Sequence, residues 1–262
     1  MTKKIQINRI MKYFIIAGYL FITIGVPIIC TAFNAIVIII TFYSTIFILG
    51  TLWYWRGAYT ILRKNKIQFL IGENCKELQE SIIDLKKKIG LKVNIKIGIL
   101  DEALPNAFTL FLGLRKYSII LSVGIFENLE SNEIKAVIAH ELFHIKNRDV
   151  WVKALFIIGR FISFPMGPLI ESYISRSREV HADLKSSKFT RDPLSLASAL
   201  LKMLKCYQSN PELVFNINNV SKSFWIINHS NKKHKSIIRK LLSRHPSIEK
   251  RIKVLMKFKL KD

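Results

Sequence analysis

From Tyr13 to Trp55 the chain carries no charged residue. This run constrains the fold more than any other feature, because a bilayer core takes about 20 apolar residues per helix. It is too long for one span and long enough for two, with Asn34 as the natural turn between helices near residues 13–33 and 35–55. A cleaved signal peptide has a shorter apolar stretch and a small-residue cleavage site. Orientation follows from positive charge. Lys3, Lys4, Arg9 and Lys12 precede the run, Arg56, Arg63, Lys64 and Lys66 follow it, and the connecting turn carries none. The positive-inside rule then places both ends in the cytoplasm. The expected organisation is a basic cytoplasmic N-terminus (1–12), a transmembrane helical hairpin (13–55) and a cytoplasmic domain (56–262) large enough for one core. Cys30, Cys75 and Cys206 are scattered and form no disulfide framework, which suits that compartment.

Residues 140–144 read His-Glu-Leu-Phe-His. A helix is expected here independently: Ser131 can cap it, Glu133 lies in its first turn, and Ile134, Val137, Ile138 and Phe143 form an apolar stripe. Positions four apart share a helix face, so His140 and His144 can offer two imidazoles to one metal ion. Glu141 lies about 100° round the axis, close enough to act on a water without being a ligand. Zinc would make that water acidic, and Glu141 would take its proton during attack on a peptide carbonyl.

Glu179 and Asp183, in Ser177-Arg178-Glu179-Val180-His181-Ala182-Asp183, are again four apart and face one way on a second helix. Glu179 is the expected third ligand and Asp183 the acceptor that orients a ligating histidine, with one Zn2+ per chain. The bland alternative is a solvated face on which both pair with Arg176, Arg178 or Lys185. His181 points off the metal face. A separation above about 6 Å between the Glu179 carboxylate and the converging imidazoles would rule out a shared ion, since coordination bonds measure about 2 Å.

Between the two metal elements, Val150–Tyr173 is apolar but interrupted by Lys153 and Arg160. His144 and Glu179 must meet, so the chain between them crosses a membrane twice or never, and two spans need about 40 residues, more than are present. This segment is expected to pack over the site without crossing.

Elsewhere, apolar positions from Lys66 to Gly90 fit a helix, and Val93, Ile95 and Ile97 alternate as in a strand. Residues 107–112 and 117–121 suggest a hairpin turning at 113–116, with helices at 122–129 and 193–207. Asn106, Ala107 and Phe108 fall on an expected edge strand, where main-chain pairing could hold an extended peptide; a closed edge without catalytic consequence is the alternative. Residues 208–236, with Phe224 and Trp225, read as a surface loop. The fold class is therefore mainly α with a small β-sheet, an α+β zincin-like domain behind a transmembrane hairpin. A net charge of +23 would suit nucleic acid, but no aromatic interleaving or nucleic-acid module accompanies it. Anionic lipid headgroups are the nearer partner, and a lysine-rich solvated surface is the bland one.

With these residues assembled, the chain resembles the HtpX and CAAX-prenyl-protease family of integral-membrane zinc endopeptidases. The resemblance rests on Pro105-Asn106-Ala107-Phe108, on His140–His144 with Asn147-Arg148-Asp149, on Ser177-Arg178-Glu179 with Ala182-Asp183, and on His245-Pro246 with Arg251. It implies His140, His144 and Glu179 as zinc ligands, Glu141 as base, and His245 near the site, stabilising an oxyanion or latching the metal. Read alone, His245-Pro246 is simply a helix N-terminus. The resemblance also implies polypeptide substrates, membrane or unfolded proteins among them, and a membrane quality-control role. HtpX-like enzymes usually place two further spans between the histidines and the glutamate. The shorter spacing here is nearer to the BlaR/MecR peptidases, so a site-specific regulatory protease is one alternative and a catalytically silent basic membrane scaffold another.

Overall fold

The computed structural model describes residues 17–18, 20–26, 36–64, 67–69, 76–113, 115–149, 167–216 and 245–259. It divides into two units, Met1–Trp53 and Tyr54–Asp262. The first contains a short π-helical turn, Phe21–Gly25, and most of helix α1, Ile36–Lys64. Val37, Ile38, Phe42, Leu49 and Leu52 of α1 are all exposed. Its threonine hydroxyls are satisfied within the helix: Thr41 donates to Val37 O, Thr45 to Thr41 O and Thr51 to Phe47 O at 2.7–2.8 Å. Such back-bonding hides polar groups on an otherwise apolar surface. Among the described residues, no helix is long and apolar enough to cross a membrane. Most of the span expected near 13–33, with its turn at Asn34, lies outside the described residues.

The second unit is built on strands β1 (Gln68–Phe69), β2 (Asn94–Leu100), β3 (Ala107–Gly113) and β4 (Lys116–Ser122). They form one mixed sheet in the order β1-β2-β4-β3. Strands β2 and β4 run parallel, while β1 on β2 and β3 on β4 are antiparallel. The hairpin lies where the two runs about 113–116 suggested it, and β2 lies where the alternation at 93–97 placed it. The helices are α2 (Lys76–Ile89), α3 (Val123–Asn128), α4 (Ser131–Lys146), α5 (Gly167–Thr190), α6 (Pro193–Ser209), α7 (Pro211–Asn216) and α8 (Ile248–Lys259). The unit is thus mainly helical around a small four-stranded sheet.

Both sheet faces are covered, which is why β4 is buried continuously from Tyr117 to Ser122 rather than at alternate residues. On one face Ala107, Phe111, Tyr117, Ile119 and Leu121 join Val137, Ile138 and Leu142 of α4 and Leu200 and Met203 of α6 in the main core. On the other, Phe108, Leu110 and Ile120 pack with Leu100 and Ile67.

Three local expectations change. Phe69 belongs to β1, not to a helix running from Lys66, because its backbone pairs opposite Gly98 of β2. The α2 helix does stop at Gly90, whose φ of +78° suits a residue without Cβ. There Gly90 N–H donates to Lys87 O and Leu91 N–H to Lys86 O, both at 3.0 Å. The cap of α4 is Glu130, not Ser131: its N–H donates to Glu133 Oε2 at 2.8 Å, so Ser131 becomes the first helical residue. Within the loop expected at 208–236, Pro211–Asn216 is helical, while residues 217–244, with Phe224 and Trp225, lie outside the described residues.

Candidate metal centre

Helix α4 is buried along most of its length between the sheet and the neighbouring helices, so its two histidines are presented inside the protein. His140 and His144 are 2% and 7% exposed, and Glu179 on α5 is 5% exposed. The two Nε2 atoms lie 3.0 Å apart. Glu179 Oε2 is 3.7 Å from His140 Nε2, and Oε1 is 3.6 Å from His144 Nε2. Bonds of about 2 Å to a tetrahedral ion separate its ligands by about 3.3 Å, so these spacings match a single shared ion.

The far side of each ring supplies an independent check. His144 Nδ1 meets Asp149 Oδ2 at 2.5 Å, and His140 Nδ1 lies 3.0 Å from Asp183 Oδ1, in a contact bent away from ideal hydrogen-bond geometry. A carboxylate at Nδ1 favours the proton there and leaves a lone pair on Nε2. Two lone pairs and a carboxylate converging in a buried space repel one another unless a cation joins them. The donor set therefore fits zinc, with three protein ligands and a fourth position for water or substrate.

Without a metal, the same charges act on protons. Burial opposes charging of His140, but Asp183 and Glu179 outweigh it and push the ring up to about 9. Burial likewise opposes ionisation of Glu179, yet His245 and His144, with the contact from His140, hold its carboxyl well below the usual carboxylate range. The pocket is organised to keep Glu179 anionic.

Asp183 takes the orienting position expected of it and is itself held by Arg251. The Arg251 Nε and one terminal nitrogen donate to the two Asp183 oxygens at 2.7 and 2.6 Å. The other terminal nitrogen is 3.5 Å from Glu179 Oε2. Arg251 is 1% exposed, so its charge acts inside the protein on these carboxylates, with Glu141 also among the anions that favour it. Burial also opposes ionisation of Asp183, and Arg251 together with His140 more than offsets it. His245 Nδ1 stands 3.4 Å from Glu179 Oε1, bringing the segment that leads into α8 to the site. His181 is exposed beside Asn147 and is no part of the cluster.

The orienter of His144 was not legible as such. Asp149 follows the end of α4, where Arg148 adopts a φ of +56°. That left-handed residue reverses the chain and returns Asp149 beneath the ring. Arg178 on α5 then grips Asp149 Oδ1 and donates to Asn147 O at 3.2 Å. Arg178, which could have neutralised Glu179 on a solvated face, thus joins the metal helices instead. The signal in the sequence was the Asn147-Arg148-Asp149 element at the helix end, which carried part of the family resemblance without assigning Asp149 a role.

Glu141 is 4% exposed, and its Oε2 accepts from Thr109 Oγ1 of β3 at 2.7 Å. Asn106 immediately precedes β3, an edge strand, and Ala107 and Phe108 begin it; all three residues are at most 5% exposed. Asn106 N–H donates to Ser122 Oγ at 2.7 Å, and Tyr207 donates to Pro105 O at 2.6 Å, which anchors the entry to the strand. The expected packing of 150–173 over the site concerns residues of which 150–166 lie outside the described residues; Gly167 onward is the first turn of α5.

Peptidase family M48 has a family profile that matches residues 73–259, the stretch holding every element of this centre. The chain belongs to peptidase family M48. As an M48 protein it is a zinc metalloendopeptidase, with His140, His144 and Glu179 forming its metal site. A protease HtpX homolog of Salinibacter ruber is 31% identical over 226 residues, covering 76% of this chain and 80% of its own. One from Bacteroides fragilis is 30% identical over 228 residues, covering 70% of this chain and 69% of its own. The crystal structure of S. mikatae Ste24p shares the fold at 20% identity and a TM-score of 0.53, over 96% of this chain and 66% of that one. The M48 domain is zincin-like, with a helix carrying two ligands beneath a small sheet.

Proposed function

We propose that this chain is a membrane-anchored endopeptidase that binds one zinc ion and cleaves membrane or unfolded polypeptides on the cytoplasmic side. The observation that carries the chemistry is the convergence of two imidazole Nε2 atoms and the Glu179 carboxylate within 4.8 Å of one another, with Glu141 one residue from the first ligand. When bound, zinc supplies a Lewis acid for water and the scissile carbonyl. Glu141 takes the proton from the attacking water and passes it to the departing amine. His245, 3.4 Å from Glu179, donates to the carbonyl oxygen as it gains charge. Edge strand β3, which begins at Ala107 and Phe108 just after Asn106, is the place where an extended substrate would pair by main chain, which suits cleavage with little sequence preference.

The anchor reading, with a basic segment at 1–12, a transmembrane hairpin at 13–55 and the peptidase domain at 56–262, is supported by the uncharged Tyr13–Trp55 run and by the exposed apolar side chains of α1. Similarity to protease HtpX homologs supports a role in clearing faulty membrane proteins. Anionic headgroups are the surface that a +23 chain would meet there.

The test uses full-length protein in detergent. Zinc content should approach one per chain, fluorescein-labelled casein should be degraded into many fragments, and Glu141→Gln should keep zinc while losing at least ~100-fold in rate. Zinc-loaded protein inert on unfolded substrates would favour the scaffold reading. A single clean cut in one partner would favour a regulatory protease. Activity surviving Glu141→Gln would remove the base.

A further inference from the structure

The hydroxyl of Thr109 meets the catalytic carboxylate from the sheet, at 2.7 Å from Glu141 Oε2. Alternation along β3 explains how it gets there. Ala107 and Phe111 share the core with α4, whereas Phe108 and Leu110 belong to the opposite face. Thr109 therefore points at α4, among Ala107, Phe111 and its strand partner Ile119, on a face that is otherwise packed with apolar groups. A hydroxyl in such surroundings costs stability unless it has an acceptor, and the acceptor it finds is the base.

We propose that Thr109 is a positioning residue for Glu141, fixing which carboxylate oxygen faces the attacking water. The carboxylate sits on a helix that points it into a buried space, and rotation about its side-chain bonds would offer either oxygen or neither. One short hydrogen bond from a β-branched side chain, itself stiff in a strand, ties Oε2 to the sheet and leaves Oε1 as the proton acceptor. Because β3 is also an edge strand, this hydrogen bond ties the base on α4 to the same strand along which a substrate peptide would pair. This inference rests on the assignment of Glu141 as the base.

The experiment compares Thr109→Val, which keeps the shape and removes the donor, with Thr109→Ser, which keeps the donor, in the full-length detergent-solubilised protein. With fluorescein-labelled casein, Thr109→Val is expected to lower kcat about tenfold, part of the ~10²–10⁴ that general-base catalysis contributes. KM and zinc content should stay within about twofold, and Thr109→Ser should recover to within about threefold of wild type. In a Glu141→Gln background, Thr109→Val should lower the residual rate no further, because the group it positions is gone. Wild-type kcat in Thr109→Val, equal losses in Val and Ser, or a loss that follows zinc content would each overturn the proposal. Retained activity in Glu141→Gln alone would instead sink the base assignment beneath it.

Discussion

Replacing Asp149 by alanine isolates the support of one metal ligand. Its carboxylate is 3% exposed and accepts from two charged or polarised donors, His144 Nδ1 and Arg178. Truncation leaves the Nδ1–H of a buried imidazole without its acceptor and frees the ring to rotate or shift its proton to Nε2, where it blocks the lone pair. It also strands the Arg178 guanidinium beside Asn147 O. A buried hydrogen bond to a charged group contributes about 1.5–3 kcal/mol. If that amount is lost from the metal-bound state, zinc affinity falls by roughly 10–100-fold, the range found when orienting partners of metal-bound histidines are removed. Asp149→Asn keeps an oxygen for Nδ1–H but loses the charge facing Arg178, so its loss should be smaller, about threefold to tenfold. The assay is competition for zinc against a chromogenic chelator at neutral pH. Asp84→Ala, which breaks an exposed pair with Lys88, is the control and should leave affinity unchanged. An Asp149→Ala protein that holds zinc within about twofold of wild type would refute the reasoning, since the His144 ring would then be held by packing alone.

Arg251→Ala should destabilise the protein by about 3–5 kcal/mol, because it leaves Asp183 and Glu179 as buried carboxylates without their shared cation; thermal unfolding in detergent reads this directly. Glu133 is held by Ser198 Oγ at 2.6 Å and Lys202 Nζ at 2.9 Å. Burial opposes its ionisation, but Ser198, the Glu130 N–H and Lys202 lower its carboxyl below the ordinary 4.5. A lowered folded value means this stability is present above pH 4.5 and is lost as pH falls through the folded value. Glu133→Gln should therefore lower Tm at pH 7, with the gap to wild type closing in more acid solution. A gap unchanged with pH would assign the effect to packing rather than charge.

The two histidines, the base between them and the Glu179/Asp183 pair were readable from residue order, because helical periodicity alone puts positions four apart on one face. The hairpin at 107–121 and the stop at Gly90 were readable for a similarly local reason, two runs about a turn and a glycine at the end of a helical pattern. The cap of α4 was misplaced by one residue, since Ser131 has the commoner capping side chain while the reciprocal Glu130–Glu133 contact depends on geometry.

Contacts across long stretches of chain were not readable. Thr109 reaches Glu141 because two layers of the fold face each other, and Arg251 reaches Asp183 because α8 packs beside α5. Asp149 stands close in sequence to His144, yet it turns back only through the left-handed Arg148 and the grip of Arg178. Residue order determined which groups could bind a metal, because that depends on a repeat within one helix. Only the packed tertiary structure decided how each ligand is aimed and which neighbours sustain its charge, because a buried polar group takes whatever partner the surrounding elements bring within reach.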